Sequence, residues 1–161
     1  LYIGRLEYRK GPDLLFDVVD ILPSSFDIHV AGANQGGYDI PSRIQYHGYV
    51  TEEAKQALLS KATYVLIPSR WEGFGIVALE AAATGTPVIA NDVPGLREAV
   101  AGNDIGVLAD FSNPQEVADL IWKVTRETSR RNASDLRENI GTYTWPHTAQ
   151  QTNKVLRDET S

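Results

Sequence analysis

The sequence has no cysteine, no methionine and no long hydrophobic run. Without cysteine the chain forms neither a disulfide nor a thiolate metal site, and the redox compartment stays undetermined. No apolar run approaches the roughly 20 residues that a membrane-spanning helix needs, and no signal-peptide pattern precedes the first apolar segment. We therefore expect a cytoplasmic protein.

The chain does not begin with methionine, and residues 1–4 look like the last half of a strand. Both features suggest a piece of a longer protein, which we call the parent. A peripheral position of the parent at the inner face of a membrane stays open. The 161 residues suit one domain with a substantial core, since a domain of this size buries roughly 70% of its unfolded surface.

Basic residues are scarce: 15 Lys and Arg stand against 21 Asp and Glu, for a net charge of −6. A net acidic chain without a basic cluster is a poor nucleic-acid binder, because phosphate contacts dominate that affinity. An anionic small molecule is still a suitable ligand if a few basic residues converge in one cleft.

Metal and dinucleotide motifs are also missing. The 3 histidines and 21 acids form no H-x-x-x-H or D-x-D arrangement, so we expect no metal and no cofactor. His29 and His47 are interpreted as core or partly buried residues. No G-x-G-x-x-G follows the first strand, which argues against a dehydrogenase. The glycine-rich segment 32–37 follows the second strand and opens no evident helix.

Short apolar runs alternate with helix-period segments along the whole chain. The predicted strands are 1–4, 26–32, 43–47, 63–67, 87–91 and 105–108. The predicted helices are 11–22, 51–61, 75–84, 95–101, 113–126, 130–141 and 145–157. This alternation predicts an α/β fold: a Rossmann-like, doubly wound parallel sheet of about six strands with helices on both faces.

Some helix positions carry further local signals. Thr51 and the pair Asn113-Pro114 have the chemistry expected at helix starts. In the helix over 51–61, the expected apolar face consists of Ala54, Ala57 and Leu58.

Residues without a packing role gather where strands end. The segments concerned are Gly4-Arg5, Gly32-Ala33-Asn34, Gly48-Tyr49-Val50 and Pro68-Ser69-Arg70. Ligands of an open parallel sheet bind in the crevice outside the carboxyl ends of its strands. The sequence therefore predicts a ligand site at this edge.

Two carboxylates flank the segment that follows the fourth strand. Gly73-Phe74-Gly75 opens a helix, whose free N–H groups and macrodipole suit an anion. Glu72 precedes that helix and Glu80 lies on its second turn. Across a helical segment they would be about 12 Å apart, which is of the order of a nucleotide diphosphate sugar.

Two cations follow the first strand. Arg5 and Lys10 would suit a pyrophosphate that gains negative charge as it leaves. An ordinary solvated loop, in which Arg5 and Arg9 pair with Glu7, is an open alternative. Trp71 is compatible with a wall of a sugar pocket and equally with a packing role.

The segment Glu72 to Glu80 resembles the E-x7-E signature of retaining glycosyltransferases with two facing Rossmann-like domains, the GT-B group 1 or family 4 type. This family includes glycogen synthase and many mannosyl- and glucosyltransferases. The segment Gly4 to Gly11 resembles the G-R-x4-K-G element with which the family holds its donor diphosphate. Segments 84–90 and 95–98 match the stretches that usually follow, and shape the floor of the site. The resemblance covers nearly the whole chain and corresponds to the second, donor-binding domain.

The resemblance implies retaining, metal-independent transfer of a hexosyl group from a nucleotide sugar. Arg5 and Lys10 would stabilise the diphosphate leaving group, Glu72 would orient the sugar, and Glu80 would contact the ribose hydroxyls. The implied donor-binding residues are Gly4, Gly32, Tyr49, Val50, Gly73, Phe74, Gly75, Ile76 and Glu80.

Residues 1–161 then form a single nucleotide-sugar-binding domain, and residues 143–161 form a C-terminal helix that crosses back to the partner domain. That partner is an N-terminal acceptor domain of the parent, so we expect the isolated chain to be inactive in transfer. Two alternatives stay open: a non-catalytic nucleotide-sugar binding module, and half of a sugar-nucleotide epimerase of the same architecture. The missing D-x-D disfavours the other main glycosyltransferase architecture, which grips its diphosphate through a divalent cation.

Overall fold

The structure is a computed structural model that describes residues 1–126 and 133–140. Its strands are β1 Tyr2–Ile3, β2 Ile28–Ala31, β3 Ile44–Tyr46, β4 Val65–Ile67, β5 Val88–Asn91 and β6 Gly106–Ala109. Its helices are α1 Pro12–Ile21, α2 Glu52–Lys61, α3 Ile76–Thr84, α4 Pro94–Leu96, α5 Pro114–Arg126 and α6 Ala133–Asn139. The predicted strands and the predicted helices 11–22, 51–61, 75–84 and 113–126 are confirmed, with shifts of a few residues at their ends. Within the predicted helix 130–141, the described residues form α6. The predicted helix over 145–157, and with it the crossover segment 143–161, lies outside the described residues.

Two short elements differ from the prediction. A 3₁₀ turn, Tyr8–Lys10, occupies the loop after β1. The predicted helix 95–101 divides into α4 and a π-helical turn, Arg97–Ala101. Gly102 N donates to Arg97 O at 3.1 Å, the wider i→i+5 bond that defines this turn. Apolar periodicity does not distinguish these hydrogen-bond patterns.

The strands pair in parallel, in the orders β1-β2-β3 and β4-β5-β6. Leu1 joins the two halves: its N donates to Tyr64 O at 3.0 Å, and Leu66 N donates to Leu1 O at 2.8 Å. The spatial order is therefore 3-2-1-4-5-6, the order of a doubly wound Rossmann sheet. The switch point of this order lies between β1 and β4, so the chains that leave these two strands turn to opposite faces and open a crevice.

The sheet is buried on both faces. Leu66 and Ile89 pack into one cluster with α1 and α5, whereas Val65, Val88 and Ala90 pack into the other with α3 and α6. Because successive side chains of a strand point to opposite faces, consecutive apolar residues are what a sheet covered on both sides requires. The predicted fold class is confirmed.

Arg70 joins the two sides of the crevice. Its guanidinium donates to Asp13 Oδ1 and Oδ2 at 2.8 and 2.5 Å and to Tyr8 O at 2.9 Å. It also lies 4.2 Å from the centroid of the Tyr8 ring. At Gly11, where φ is +64°, a Cβ atom would come within 2.3 Å of Pro68 O. The loop after β4 is thus held closely against the 3₁₀ turn and the start of α1.

We expect Arg70→Ala to lower the free energy of unfolding by roughly 1–2 kcal/mol, because it removes a bidentate ion pair and a hydrogen bond to a backbone carbonyl. Solvent screening limits the loss, since the Asp13 side chain is 41% exposed. Urea unfolding followed by circular dichroism measures it. Arg97→Ala is the matched control, because its pair with Asp92 is exposed on both sides, so its stability should stay close to that of the wild type. Equal losses in the two variants would contradict the role of Arg70 in holding the two loops together.

The same pair predicts a pH dependence. The hydrogen bond from Arg70 holds the pKa of the Asp13 carboxyl below its ordinary value of 3.8. A carboxyl whose pKa is lower in the folded state stabilises the fold above its unfolded pKa, and this contribution is lost as the pH falls through the folded pKa. The stability difference between the wild type and Asp13→Asn should therefore shrink as the pH falls from about 5 through the folded pKa of Asp13, which lies below 3.8. A difference that stays constant over this range would overturn the assignment.

Candidate functional site

The crevice at the switch point is bordered by two loops. One follows β1 and ends in the turn Tyr8–Lys10; the other follows β4 and leads through residues 68–75 into α3. Both loops carry the residues that the sequence singled out. The sheet order, and not sequence proximity, brings them together.

Lys10 and Glu72 meet across this crevice. Lys10 Nζ donates to Glu72 Oε2 at 2.5 Å, and the two side chains are only 18% and 14% exposed. Ser69, which is itself buried, donates to the same carboxylate oxygen at 3.3 Å. Two residues that were assigned to different parts of a ligand are therefore in contact with each other. Together they form a partly buried pair of opposite charges in the crevice.

Arg5 lies at the mouth of the crevice. Its Nη2 is 3.3 Å from Glu7 Oε1, and Arg9 Nη2 is 3.2 Å from the same oxygen. The alternative pairing of both arginines with Glu7 is thus what the structure shows. The Arg5 side chain is 53% exposed, so it can turn toward a ligand at little cost.

The backbone of the Glu72 loop rests on α4. A Cβ atom on Gly95 would come within 2.1 Å of Glu72 O and 2.9 Å of Gly73 O. From the other side, Asn91 Nδ2 donates to Ser69 O at 3.0 Å. Gly95 was expected to shape the floor of the site, and it lies directly under the loop. These contacts fix the position of the Glu72 backbone and so limit where its carboxylate can lie.

Helix α3 presents its amino end beside this loop. Gly75 precedes the helix with φ +67°, and no side chain of the described residues caps the first turn. The first amides of such a helix suit an anion. Phe74 and Ile76 flank this end and are 50% and 62% exposed. Within the predicted donor-binding segment 73–76, Gly73, Phe74 and Ile76 are therefore accessible, whereas Gly75 is buried.

Glu80 has a partner that sequence reasoning missed. Lys55 Nζ, on α2, donates to Glu80 Oε1 at 2.8 Å and lies 2.9 Å from Glu52 Oε2. Burial alone would lower the pKa of Lys55, but its hydrogen bonds to Glu80 and Glu52 outweigh this effect and raise that pKa. The ammonium therefore stays charged at neutral pH.

The expected face of α2 is wrong. Ala54 and Ala57 are exposed, and the helix packs through the fully buried Leu59. Lys55 precedes Leu59 by one turn, so both lie on the inner face. The spacing of Lys55 and Leu59, four positions apart, could have indicated that both lie on the inner face of α2. The sequence did not show, however, whether Leu58 or Leu59 is the leucine that packs against the sheet.

The ends of the first three strands also converge. Gly32 N donates to Gly48 O at 2.7 Å, and a Cβ atom on Gly32, where φ is +145°, would come within 1.8 Å of Gly4 O. Tyr49 is 84% exposed, and Val50 leads directly into α2. The predicted glycines thus allow strand ends to approach, and the 48–50 segment borders the same edge.

Trp71, His29 and His47, for which the sequence left packing roles open or expected, do not lie among the candidate site residues. Trp71 is 65% exposed, with the Arg9 guanidinium 5.7 Å from its ring centroid, so it is not a core residue. His29 is half-buried and His47 is exposed, and their Nδ1 and Nε2 atoms lie 2.9 Å apart across β2 and β3. The strand pairing that joins them is invisible in the sequence spacing. Within residues 1–126 and 133–140, no group of three or more His, Asp or Glu could hold a metal ion.

A cavity of about 490 Å³ lies at the opposite edge of the sheet, between the starts of β2 and β4. It contains none of the predicted site residues. Since ligands of doubly wound sheets bind at the carboxyl ends of strands, we assign the site to the crevice instead.

Among the described helices, none combines the length and apolarity needed to cross a membrane.

Comparison with known proteins agrees with this geometry. The family model for glycosyl transferases group 1 matches residues 1–144. A D-inositol 3-phosphate glycosyltransferase of Jonesia denitrificans is 33% identical over 170 residues, which cover 92% of this chain and 40% of that protein. An uncharacterized 41.2 kDa protein in the cps region of Klebsiella pneumoniae is 31% identical over 148 residues, with coverages of 84% and 41%.

Solved structures share the fold. Sucrose-phosphate synthase from Thermosynechococcus elongatus superposes with a TM-score of 0.83 at 26% identity, covering 99% of this chain and 44% of that one. Anabaena Alr3699/HepE, in complex with UDP and glucose, superposes with a TM-score of 0.80 at 22% identity, covering 98% and 47%. The chain spans about two fifths of the curated relatives it matches and corresponds to their C-terminal region. This chain belongs to the glycosyl transferases group 1 family.

Proposed function

We propose that this chain binds the nucleotide-sugar donor of a retaining, metal-independent hexosyltransferase. The observation that carries the proposal is the contact between Lys10 and Glu72, which the loops after β1 and β4 bring together at the switch point. A cation for a diphosphate and a carboxylate for sugar hydroxyls then stand side by side. The Anabaena protein that shares this fold has been seen with UDP-glucose, which makes UDP-sugars the first donors to test.

Transfer breaks the bond between the anomeric carbon of the sugar and the diphosphate oxygen and forms a bond from that carbon to an acceptor hydroxyl oxygen, whose proton passes to the departing nucleoside diphosphate. Negative charge develops on the departing nucleoside diphosphate, and Lys10 and Arg5 stabilise it electrostatically. The uncapped amino end of α3 contributes its amides and macrodipole to the same phosphates. Glu72 accepts hydrogen bonds from sugar hydroxyls and orients the ring, and Glu80 accepts those of the ribose. No step of this account needs a metal ion.

The contact between Lys10 and Glu72 bears on how a donor would bind. Lys10 is shared between Glu72 and an incoming diphosphate, which carries more negative charge than one carboxylate. The diphosphate therefore draws the ammonium away, and the carboxylate oxygen that Lys10 occupied becomes an acceptor for a sugar hydroxyl. Phosphate binding and sugar recognition are coupled through one proton donor.

The complete transferase, in this proposal, includes a second Rossmann-like domain that supplies the acceptor site. The relatives are more than twice as long as the segment they share with this chain, which supports this arrangement. The acceptor and transferred sugar are set partly by that domain.

The coupling predicts opposite effects of one substitution on two ligands. Glu72→Gln should strengthen UDP binding on the order of threefold to tenfold, because Lys10 is no longer held by a carboxylate. The same variant should lose the extra affinity that the sugar gives UDP-glucose over UDP. Isothermal titration with UDP, GDP and ADP and with their glucose or mannose conjugates measures both effects.

Two variants serve as controls for this titration. Lys10→Met should weaken every nucleoside diphosphate, whereas Glu53→Gln, an exposed carboxylate on α2, should change nothing. If the Glu72→Gln variant binds UDP and UDP-glucose as the wild type does, the proposed roles of Lys10 and Glu72 are contradicted.

A second prediction concerns turnover. Glu72→Ala in the parent should lower transfer on the order of 100-fold or more, since the sugar is no longer oriented against the diphosphate. The isolated 161-residue chain should bind nucleotide but give little or no transfer. Product analysis with and without acceptor checks this and separates transfer from epimerisation. Unchanged turnover of Glu72→Ala would favour a non-catalytic binding module, and robust transfer by the isolated chain would refute the two-domain requirement.

A further inference from the structure

We propose that Lys55 is a positioning residue that makes this site selective for ribonucleotides over 2′-deoxyribonucleotides. The inference rests on the proposed function, in which Glu80 accepts the ribose hydroxyls. It adds a residue on a different helix, α2, which sets how Glu80 presents its oxygens. Lys55 itself need not touch the ligand.

The contact between Lys55 and Glu80 is a partly buried hydrogen bond between two helices. Lys55 Nζ donates to Glu80 Oε1 at 2.8 Å, and the side chains are 18% and 28% exposed. A surface pair would be freely solvated and weakly held, but this one lies between two packed helices. The bond therefore restricts the rotamer of Glu80.

This bond also makes the two carboxylate oxygens of Glu80 unequal. Oε1 is taken by Lys55, while the described residues supply no hydrogen bond to Oε2. A fixed carboxylate with an open oxygen can accept from adjacent hydroxyls of one ribose. A site built to bond a hydroxyl discriminates against an analogue that lacks it, because its polar group is left unpaired.

Charge gives Lys55 a second effect. Glu80 lies on the helix whose amino end is proposed to hold phosphates, and a bare carboxylate there would repel an anionic nucleotide. Lys55 compensates this charge, and Glu52, at 2.9 Å on the solvent side, keeps the ammonium in place. Glu52 is 63% exposed and reaches Lys55 within α2, so it adds no contact to the site.

The position of α2 connects this residue to the rest of the nucleoside. The helix begins at Glu52, two residues after Val50, and Thr51 Oγ1 accepts from Ala54 N at 3.3 Å. The segment 48–50 is the one expected to border the base. Lys55 thus connects α2, the helix that follows segment 48–50, to Glu80, the carboxylate proposed to accept the ribose hydroxyls.

The test is a titration of the 161-residue chain with UDP, GDP and ADP and with their 2′-deoxy counterparts. For the nucleotide that binds tightest, the wild type should prefer the ribose form by roughly tenfold or more. Lys55→Met should reduce this preference below about threefold, mainly by weakening the ribonucleotide. Lys55→Arg, which keeps a charged donor, should restore most of the preference.

Lys61→Met is the matched control, because Lys61 is an exposed lysine at the end of the same helix. It should leave the preference at its wild-type value. Glu80→Gln should lower the preference by itself, and adding Lys55→Met to it should lower the preference no further. Thermal unfolding of each variant separates lost stability from lost selectivity, since a purely structural tie would change only the former.

The outcomes distinguish the two levels of the proposal. Lys55→Met that keeps the wild-type ratio of ribose to deoxyribose affinity overturns the role of Lys55 and leaves nucleotide binding intact. A wild type that binds nucleotides without preferring ribose overturns the roles of both Glu80 and Lys55. A wild type that binds none of the nucleotides overturns the proposed function, and this inference with it.

Discussion

The site depends on how Arg70 holds two loops together. A doubly wound sheet opens a crevice between the strands at its switch point, but the sheet alone does not set the width of that crevice. Arg70 contacts the α1 carboxylate of Asp13, a carbonyl of the turn after β1 and the Tyr8 ring. These bonds place Lys10 within reach of Glu72, 62 positions away in the chain.

The charged candidate residues form pairs of opposite charge. Glu72 neutralises Lys10, Glu7 neutralises Arg5, and Lys55 neutralises Glu80. An acidic chain of net charge −6 can therefore present cations to an anionic ligand without leaving them unpaired beforehand. In the proposed function, the donor replaces these partners, and its selectivity would depend on which of the pairs it can exchange.

Local signals predicted the fold well because they act over a few residues. The Thr51 side chain caps α2, and Pro114 begins α5, as their chemistry requires. Consecutive apolar residues such as Val65-Leu66-Ile67 marked strands buried on both faces. The π-helical turn at Arg97–Ala101 and the inner face of α2 were not predictable in this way. Both depend on hydrogen bonds and packing that apolar periodicity leaves ambiguous.

By itself the sequence determined the α/β alternation, and it predicted a site at one edge of the sheet with the candidate residues Arg5, Lys10, Glu72 and Glu80. These follow from short-range patterns: strand ends, helix starts and the spacing of charges within one loop. The tertiary structure decided which of these charges meet, and it added Lys55 as the partner of Glu80. It also joined His29 to His47 across two strands. Such pairings come from strand order and helix packing over long separations, and chain spacing carries no record of them.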